Sequence, residues 1–421
     1  MASPAPDPRR KSARSPAYAP VILAAIITMA ALALRIVVAL IAFRRCPPQT
    51  QVLGHSEMFG IARSLAAGHG FASPFFVNSG PTAFISPGYP LIVAGILRIF
   101  GVSGVALVAL VALQILFSTL TVWLTIRVAQ QYFGVSTAII AGCLCGFSLS
   151  LAIQPFWVWE SCLSSLLLLS LFAFLSRPRT KTQWAAAGAG VAVTTLINPA
   201  LFPSLLFIAI WRAGHSRIIP WLGILIFLLV YAPWPARNLI TMHAAIPFRS
   251  NLGYELWMGN HPGADGRFHH DLDPEENPQE RARFVALGEL GYMRMKTSAA
   301  HDYIQTHPAE FFRLTLRRIA DFWTASSEGE WPLGAAFVLL AFSGLAFLWR
   351  SHPELRGYAI PLAIYPLPYY FTHADGRFRH MIDPLLAILA AHAVVVFGRA
   401  VAAHRKSRQR EDELHAAVAG N

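Results

Sequence analysis

The chain is short of charge, short of cysteine, and free of the motifs that mark the commonest soluble chemistries. Only 13% of its 421 residues are Asp, Glu, Lys or Arg, against about 25% in a soluble domain. That is too little charge to cover a water-facing surface of this size. Four cysteines give no disulfide framework, and Cys143-Leu144-Cys145 lacks the two-residue spacer of a zinc or redox pair. Cys143, Cys145 and Cys162 read as small apolar core residues, and Cys46 stands alone in its loop. No Walker loop, dinucleotide-binding turn or His-Glu-x-x-His helix occurs, so ATP-driven transport and zinc proteolysis have no sequence support. His55, His69, His261, His269, His270 and His380 show no metal-ligand spacing.

What the chain has instead is apolar length. Hydrophobic residues make up 55% of it and the mean hydropathy is +0.47. Runs close to the ~20 residues that cross a bilayer recur along it. The first, 20–43, contains one charge, Arg35. It is too long for a signal-peptide core and lacks a small-residue cleavage site, so it reads as a retained anchor. The expected fold is an all-α integral membrane protein of about ten transmembrane helices. They fall near 20–43, 104–126, 136–154, 161–176, 184–198, 200–211, 218–235, 332–349, 357–371 and 382–402. The weakest pair is split by Asn198-Pro199, so it is either one kinked span or a re-entrant hairpin.

Charge placement orients this bundle. Arg9, Arg10, Lys11 and Arg14 precede the first span. Arg177, Arg179 and Lys181, then Arg212 and Arg217, then Arg350 and Arg356 lie in short loops, and Arg405, Lys406, Arg408 and Arg410 follow the last span. With ten spans all of them share one side, which the positive-inside rule makes cytoplasmic together with both termini. Arg44 and Arg45 fall opposite, at the start of a long loop where that rule is weaker. The net charge of +12 therefore faces anionic membrane lipids rather than nucleic acid. Residues 1–18 are expected to be a disordered cytoplasmic tail and 403–421 a second tail, flanking one polytopic domain over 19–402. Its outer loops span about 44–103, which carries juxtamembrane helices, and 236–331, the one sizeable polar stretch.

Chemistry-bearing residues gather on the outer side. Glu57 opens an amphipathic stretch after the first span, followed by Pro81-Thr82-Ala83 and Pro87-Gly88-Tyr89-Pro90. Glu160 begins a span after the aromatic turn Trp157-Val158-Trp159, and Arg377 and Arg379 precede the last span. Two carboxylates and two guanidiniums at one interface suit glycosyl transfer from a lipid phosphate: a base takes the acceptor proton and Arg pairs with the leaving phosphate. For each of the four, plain solvation or headgroup pairing at a span end is the simpler alternative.

Nearly the whole chain, in order, resembles the GT-C superfamily of membrane glycosyltransferases, in its protein-mannosyltransferase-like and Rgt-type bacterial branch. The resemblance rests on Glu57, Gly68-His69-Gly70-Phe71, Pro87-Gly88-Tyr89-Pro90 and Phe100-Gly101. It continues through Trp159-Glu160-Ser161, Asn198-Pro199-Ala200, Trp234-Pro235-Ala236-Arg237-Asn238 and Arg377-Phe378-Arg379-His380. Where the branch usually carries Asp in the first loop, this chain has Glu57, one methylene longer. The resemblance implies a bacterial inner-membrane enzyme that moves a hexosyl or pentosyl unit from a polyprenyl-phosphate sugar to a lipid, glycan or protein acceptor at the periplasmic face. Glu57 is then the expected general base, and Glu160 supports it by orienting the acceptor or a divalent cation. Arg377 and Arg379 are expected on the donor phosphate. Tyr89, Tyr254 and Trp257 are expected at the acceptor, with Phe248 and Tyr292 as further stacking candidates in the acceptor-selecting loop. The rivals are a non-enzymatic lipid-linked saccharide transporter and an inactive scaffold. A transporter calls for ionisable residues at mid-membrane and an internal repeat; Arg35 is mid-span, but no clear repeat is present.

Overall fold

The computed structural model of the chain describes residues 19–45, 56–176, 180–214, 220–324 and 331–419. The tail 1–18, Cys46, His55, Arg177, Arg179 and Arg217 lie outside them. Among the described residues the structure is helical, with one isolated β-bridge between Ala72 and Pro81. The long apolar run after residue 18 forms α1 (Ala19–Arg45). Two short helices follow, α2 (Glu57–Ala66) and α3 (Gly88–Phe100). The spans resume with α4 (Gly104–Phe133), α5 (Val135–Phe147), α6 (Leu149–Trp157), α7 (Ser161–Leu175) and α8 (Lys181–Ile197). Next are α9 (Phe202–Ala213), α10 (Trp221–Tyr231) and α11 (Pro233–Met242). The polar stretch carries α12 (Leu252–Gly259), α13 (Pro278–Thr306) and α14 (Pro308–Thr324). The chain returns through α15 (Trp331–Ser351), the short α16 (Ala359–Ile364), α17 (Leu367–Phe371) and α18 (Gly376–Arg379), and ends in α19 (Asp383–Ala419).

Five of these stretches are long and apolar enough to cross a membrane, and six if the bent pair α5–α6 is one span, so the count of ten is not confirmed. Length and proline both contribute to the difference: α7, α8 and α9 hold only 15, 17 and 12 residues. Pro361, Pro366 and Pro368 break the run expected at 357–371 into α16 and α17, because each removes a backbone donor and crowds the preceding turn. The break expected at Asn198-Pro199 is there: α8 ends at Ile197, Asn198 caps the turn that follows by accepting from Ala200 N at 3.1 Å, and α9 begins at Phe202.

Two tight seams hold the bundle. α8 packs along α10, and α15 along α19. A Cβ on Gly188 would stand 2.0 Å from the Gly223 carbonyl oxygen, and one on Gly344 1.9 Å from that of Leu389. Small residues let helix backbones touch, and inside a membrane close packing is the main attraction left between helices. Arg35 is buried in the bundle at 1% exposure. Its Nε donates to Ser118 Oγ at 2.7 Å and its Nη1 to the carbonyls of Ala31 (3.1 Å) and Gly146 (2.9 Å). Gly146 is in the last turn of α5, where helix carbonyls lack a partner of their own. The mid-span charge thus closes a helix end at the α5–α6 bend, and no conduit is needed to explain it.

The described helix ends beside three of the basic loops pack together at one end of the bundle. Arg212 donates to the Ser176 carbonyl, Gly357 lies against the Trp211 ring, and Tyr358 packs on Phe172 at 4.4 Å and on Phe133 at 6.1 Å between centroids. At the other end a second core joins α2, α3, α12 and α13 through Phe59, Phe75, Phe84, Phe284 and Tyr292. The segments from α2 to α3 and from α12 to α13 are therefore built into the domain. We predict that Gly188→Leu, which must push α8 and α10 apart, costs about 1–3 kcal/mol or more and lowers the thermal midpoint in detergent. Gly398→Ala in α19, where an added Cβ meets nothing within 4 Å, should leave the midpoint unchanged or raise it. Equal behaviour of the two variants would show that the seam is not close-packed.

Candidate active site

A cavity of about 480 Å³ opens at the end of the bundle away from the basic loops. Segments far apart in sequence line it: the start of α2, the α6–α7 turn, residues 249–276, and 373–381. Each is held there by a local feature. Ser56 caps α2 by accepting from Phe59 N at 3.4 Å, which fixes Glu57 as the first helical residue. Gly60 lets the same helix press onto its loop, since a Cβ there would stand 2.1 Å from the Pro74 carbonyl oxygen. Between α6 and α7, Val158 takes a left-handed conformation at φ 54°. A β-branched residue avoids that region, and it persists only where packing enforces it. Buried Val158 turns Trp159 and Glu160 toward the cavity.

Glu57 is half-buried at the cavity wall. Burial pushes its carboxyl up to about 7; Asp273 adds to this, and the α2 backbone amide and Arg377 oppose it. Glu275 is pushed up to about 8, by burial first and then by Glu57 and Asp273. Asp273 is raised as well, again mainly by burial. The polar stretch thus delivers its carboxylates beside Glu57, where like charges crowd one another in a partly dry space. Opposite stand two guanidiniums. Arg249 Nη2 lies 3.5 Å from Glu160 Oε1, and its Nε donates to Ser86 Oγ at 3.3 Å. Arg377 Nε is 3.2 Å from Asp375 Oδ2, with the guanidinium 5.1 Å from the Trp159 ring centre and 5.3 Å from that of Phe378. His373, 4% exposed, has Nδ1 3.2 Å from Glu255 Oε2 and packs between the rings of Phe268 and Phe378.

The structure therefore brings Glu57, Glu160, Arg377 and Tyr254 into one cavity. Tyr89 lies beneath it, lining a small void with Glu57, Glu160 and Arg249, and its hydroxyl accepts from Gln114 Nε2. Arg379 is not brought there, and this corrects the pairing expected with Arg377. Its Nε donates to Asp383 at 2.9 Å and its Nη1 to the Trp323 carbonyl at 2.7 Å, so both bonds point into the bundle. Trp257 does not line the cavity either: its ring faces the Lys296 ammonium at 5.6 Å and His261 at 5.7 Å. Tyr292 is tied to Glu280 at 2.6 Å, and Phe248 packs against Phe202 and Tyr231. Arg249, Glu255, Asp273 and His373 were missed as site residues. They sit in polar or irregular segments whose only sequence signal is their charge.

Among the described residues no three His, Cys, Asp or Glu groups converge closely enough to hold a metal ion by themselves, and the charged groups that line the cavity are carboxylates, guanidiniums and imidazoles.

No protein-family model matches this sequence, and no curated protein matches it either. Solved structures do. ArnT from Cupriavidus metallidurans bound to undecaprenyl phosphate superposes with a TM-score of 0.50 at 13% identity, covering 90% of this chain and 60% of that one. The Archaeoglobus fulgidus oligosaccharyltransferase tethered with an acceptor peptide containing the NVT sequon gives 0.50 at 12% identity, covering 90% of this chain and 50% of that one. The chain thus spans little more than half the length of the proteins it matches. At such identity the likeness is one of architecture alone: this multi-pass membrane chain shares the helical fold of those two proteins.

Proposed function

We propose that the protein is a glycosyltransferase that moves a monosaccharide from a polyprenyl-phosphate carrier to a lipid, glycan or protein acceptor. The observation that carries this is the convergence of Glu57 and Glu160 with Arg249 and Arg377 in one cavity at one end of the bundle. The fold adds support, as does a neighbour bound to undecaprenyl phosphate. In this reading the basic end of the bundle faces the cytoplasm of a bacterial inner membrane and the cavity faces the periplasm. A carrier with its tail in the bilayer then presents its phosphate where the cavity opens.

Transfer forms a bond between the acceptor oxygen and the anomeric carbon and breaks the bond from that carbon to the carrier phosphate. The bonding pair leaves on the phosphate oxygen, and the acceptor proton goes to Glu57. A carboxyl held near neutral accepts that proton more readily than an ordinary one. Arg377 and Arg249 take the phosphate in place of the expected Arg377–Arg379 pair. Arg377 is steadied by Trp159 and Asp375, and Arg249 by Ser86 and Glu160. A planar fork already held in place loses little freedom on pairing with phosphate. Glu160 keeps Arg249 in register and supports Glu57 rather than replacing it. Tyr254 offers a ring to the acceptor at the same wall.

The reading is tested directly by transfer from a panel of polyprenyl-phosphate sugars with purified protein in detergent. Glu57→Gln should cost about 10²-fold or more in turnover with donor binding kept, while Glu57→Asp retains part of the activity. A base works in its ionised form, and the Glu57 carboxyl is raised, so the rate should climb as pH rises through about 7. That limb should disappear in Glu57→Gln; its survival there would move the base elsewhere. Arg249→Lys and Arg377→Lys should each raise the donor KM by about tenfold with charge retained, whereas Arg379→Lys should act on stability instead. Wild-type donor dependence in the Arg249→Lys, Arg377→Lys double variant would rule the phosphate assignment out. Reporter fusions at residues 180 and 270 should report opposite sides of the membrane, and equal signals would defeat the proposed topology.

A further inference from the structure

The cavity that holds Glu57 is one of two sizeable polar cavities beside α2. A groove of about 890 Å³ lies across α2 from it. Gly60, Arg63, Ser64 and Ala67, spaced i, i+3, i+4 and i+7, form its wall, so one helix face backs the groove while the first residue of the same helix serves the candidate active site. The groove has a strongly one-sided charge. Among the described residues Arg63 and Arg237 line it, with His69 beside them, and no Asp or Glu does. Arg63 is exposed and stands 5.3 Å from the Phe76 ring centre. Arg237 is half-buried and aimed by two carbonyls, with Nη1 donating to Thr82 O and Nη2 to Phe71 O, each at 2.6 Å. The carboxylate that acts on it from behind, Glu289, already accepts from Thr82, Ala83 and Ser250. Ser73 and Phe76, also in the wall, sit at φ 60° and 58°, strained positions of the kind that collect at ligand sites.

We propose that this groove is a second binding site, for a phosphate- or carboxylate-bearing saccharide that is part of the acceptor. This rests on the transferase reading above. Two guanidiniums and an imidazole without a facing carboxylate call for an anion. The Phe71 and Phe76 rings beside them, with Asn78 and the backbone turns at Gly70 and Gly80, suit a sugar ring better than a lipid headgroup. Arg63 is six residues along α2 from Glu57, about 9 Å by helical rise. An anionic group held there anchors the acceptor at a distance from the hydroxyl that reacts, and binding energy from such a remote group serves to orient the reacting one.

The test uses the full-length protein in uncharged detergent, titrated calorimetrically with a short uronic-acid oligosaccharide, a sugar phosphate and a neutral oligosaccharide of equal length. The two anionic probes should bind, more weakly as salt is raised, and the neutral one should bind at least about tenfold more weakly. Arg63→Gln should weaken the anionic probes about tenfold and Arg63→Glu further. Arg63 is exposed, so both variants should keep the wild-type thermal midpoint. In transfer assays the same variants should lower kcat/KM for an anionic acceptor about tenfold while leaving kcat and KM for a neutral acceptor unchanged. Equal binding of neutral and anionic probes, indifference to Arg63→Glu, or binding only to vesicles of anionic phospholipid would each overturn the proposal. Arg63-dependent binding by a protein that transfers no sugar would overturn the transferase reading and leave the groove as an anionic-saccharide site.

Discussion

The carboxylate of Glu289 joins the three outer segments on which both cavities depend. It lies on α13, 5% exposed, and accepts from the Thr82 hydroxyl, from Ala83 N at 2.8 Å and from the Ser250 hydroxyl at 2.6 Å. The Ser250 amide also donates to the Ala83 carbonyl at 2.9 Å. Burial raises its carboxyl while its three donors and Arg237 hold it down, the balance expected of a buried charge kept by its hydrogen bonds. Arg249 precedes Ser250, and Phe84 and Ser86 follow Ala83, so the wall near Glu160 inherits its register from this knot. Arg237, aimed at the second groove, shares Thr82 with it. A neutral side chain of similar size would leave at least one of these donors unpaired in a buried place, a loss of about 1–3 kcal/mol for each group.

Inside the bundle the same rule acts with fewer partners to choose from. A polar cavity at one end requires the apolar chain to stop and turn there, and every turn frees backbone groups that lipid cannot satisfy. The solutions are specific. Arg35 takes the carbonyls where α5 ends, Asn198 caps the turn after α8, and buried Arg318 donates to the Gly259 and Phe371 carbonyls where α12 and α17 end. These buried polar groups are thus fittings for broken ends. Arg379 belongs with them: paired with Asp383 and the Trp323 carbonyl, it seats the start of α19 against the end of α14.

That division explains what the sequence disclosed. Glu57, Glu160 and Arg377 were legible because each stands where an apolar run meets a turn, and proximity to a span end fixes depth in a membrane. Arg379 obeys the same sequence rule two residues from Arg377. The four residues of α18, however, send one guanidinium to Trp159 and the other into the bundle, and no local pattern separates the two. Asp273 and Glu275 reach Glu57 across more than 200 positions, a contact that only tertiary packing creates. Helix existence was equally legible and span number was not. Proline-divided runs such as 353–371 have the composition of a span without its continuity, and α10 with α11 divides at Pro233 while still passing as one.

The two cavities on either side of α2 then follow from one helix that presents opposite electrostatics on its two sides. Toward the candidate active site it offers Glu57, which joins Glu255, Asp273, Glu275 and Glu276 around two guanidiniums and is raised to about 7 by burial first, with Asp273 and Glu255 adding to it. Toward the groove it offers Arg63 and, at Gly60, no side chain at all. A further guanidinium on the Glu57 side would lower that carboxyl toward the ordinary carboxylate range and make it a weaker base for a hydroxyl proton. Keeping Arg63 across the helix leaves Arg377 as the chief cation acting on Glu57, so the arrival of a phosphate at Arg377 would withdraw that restraint. Under the transferase reading, Glu57 would then be a stronger base with donor bound than without it, which would tie removal of the acceptor proton to the presence of the leaving group.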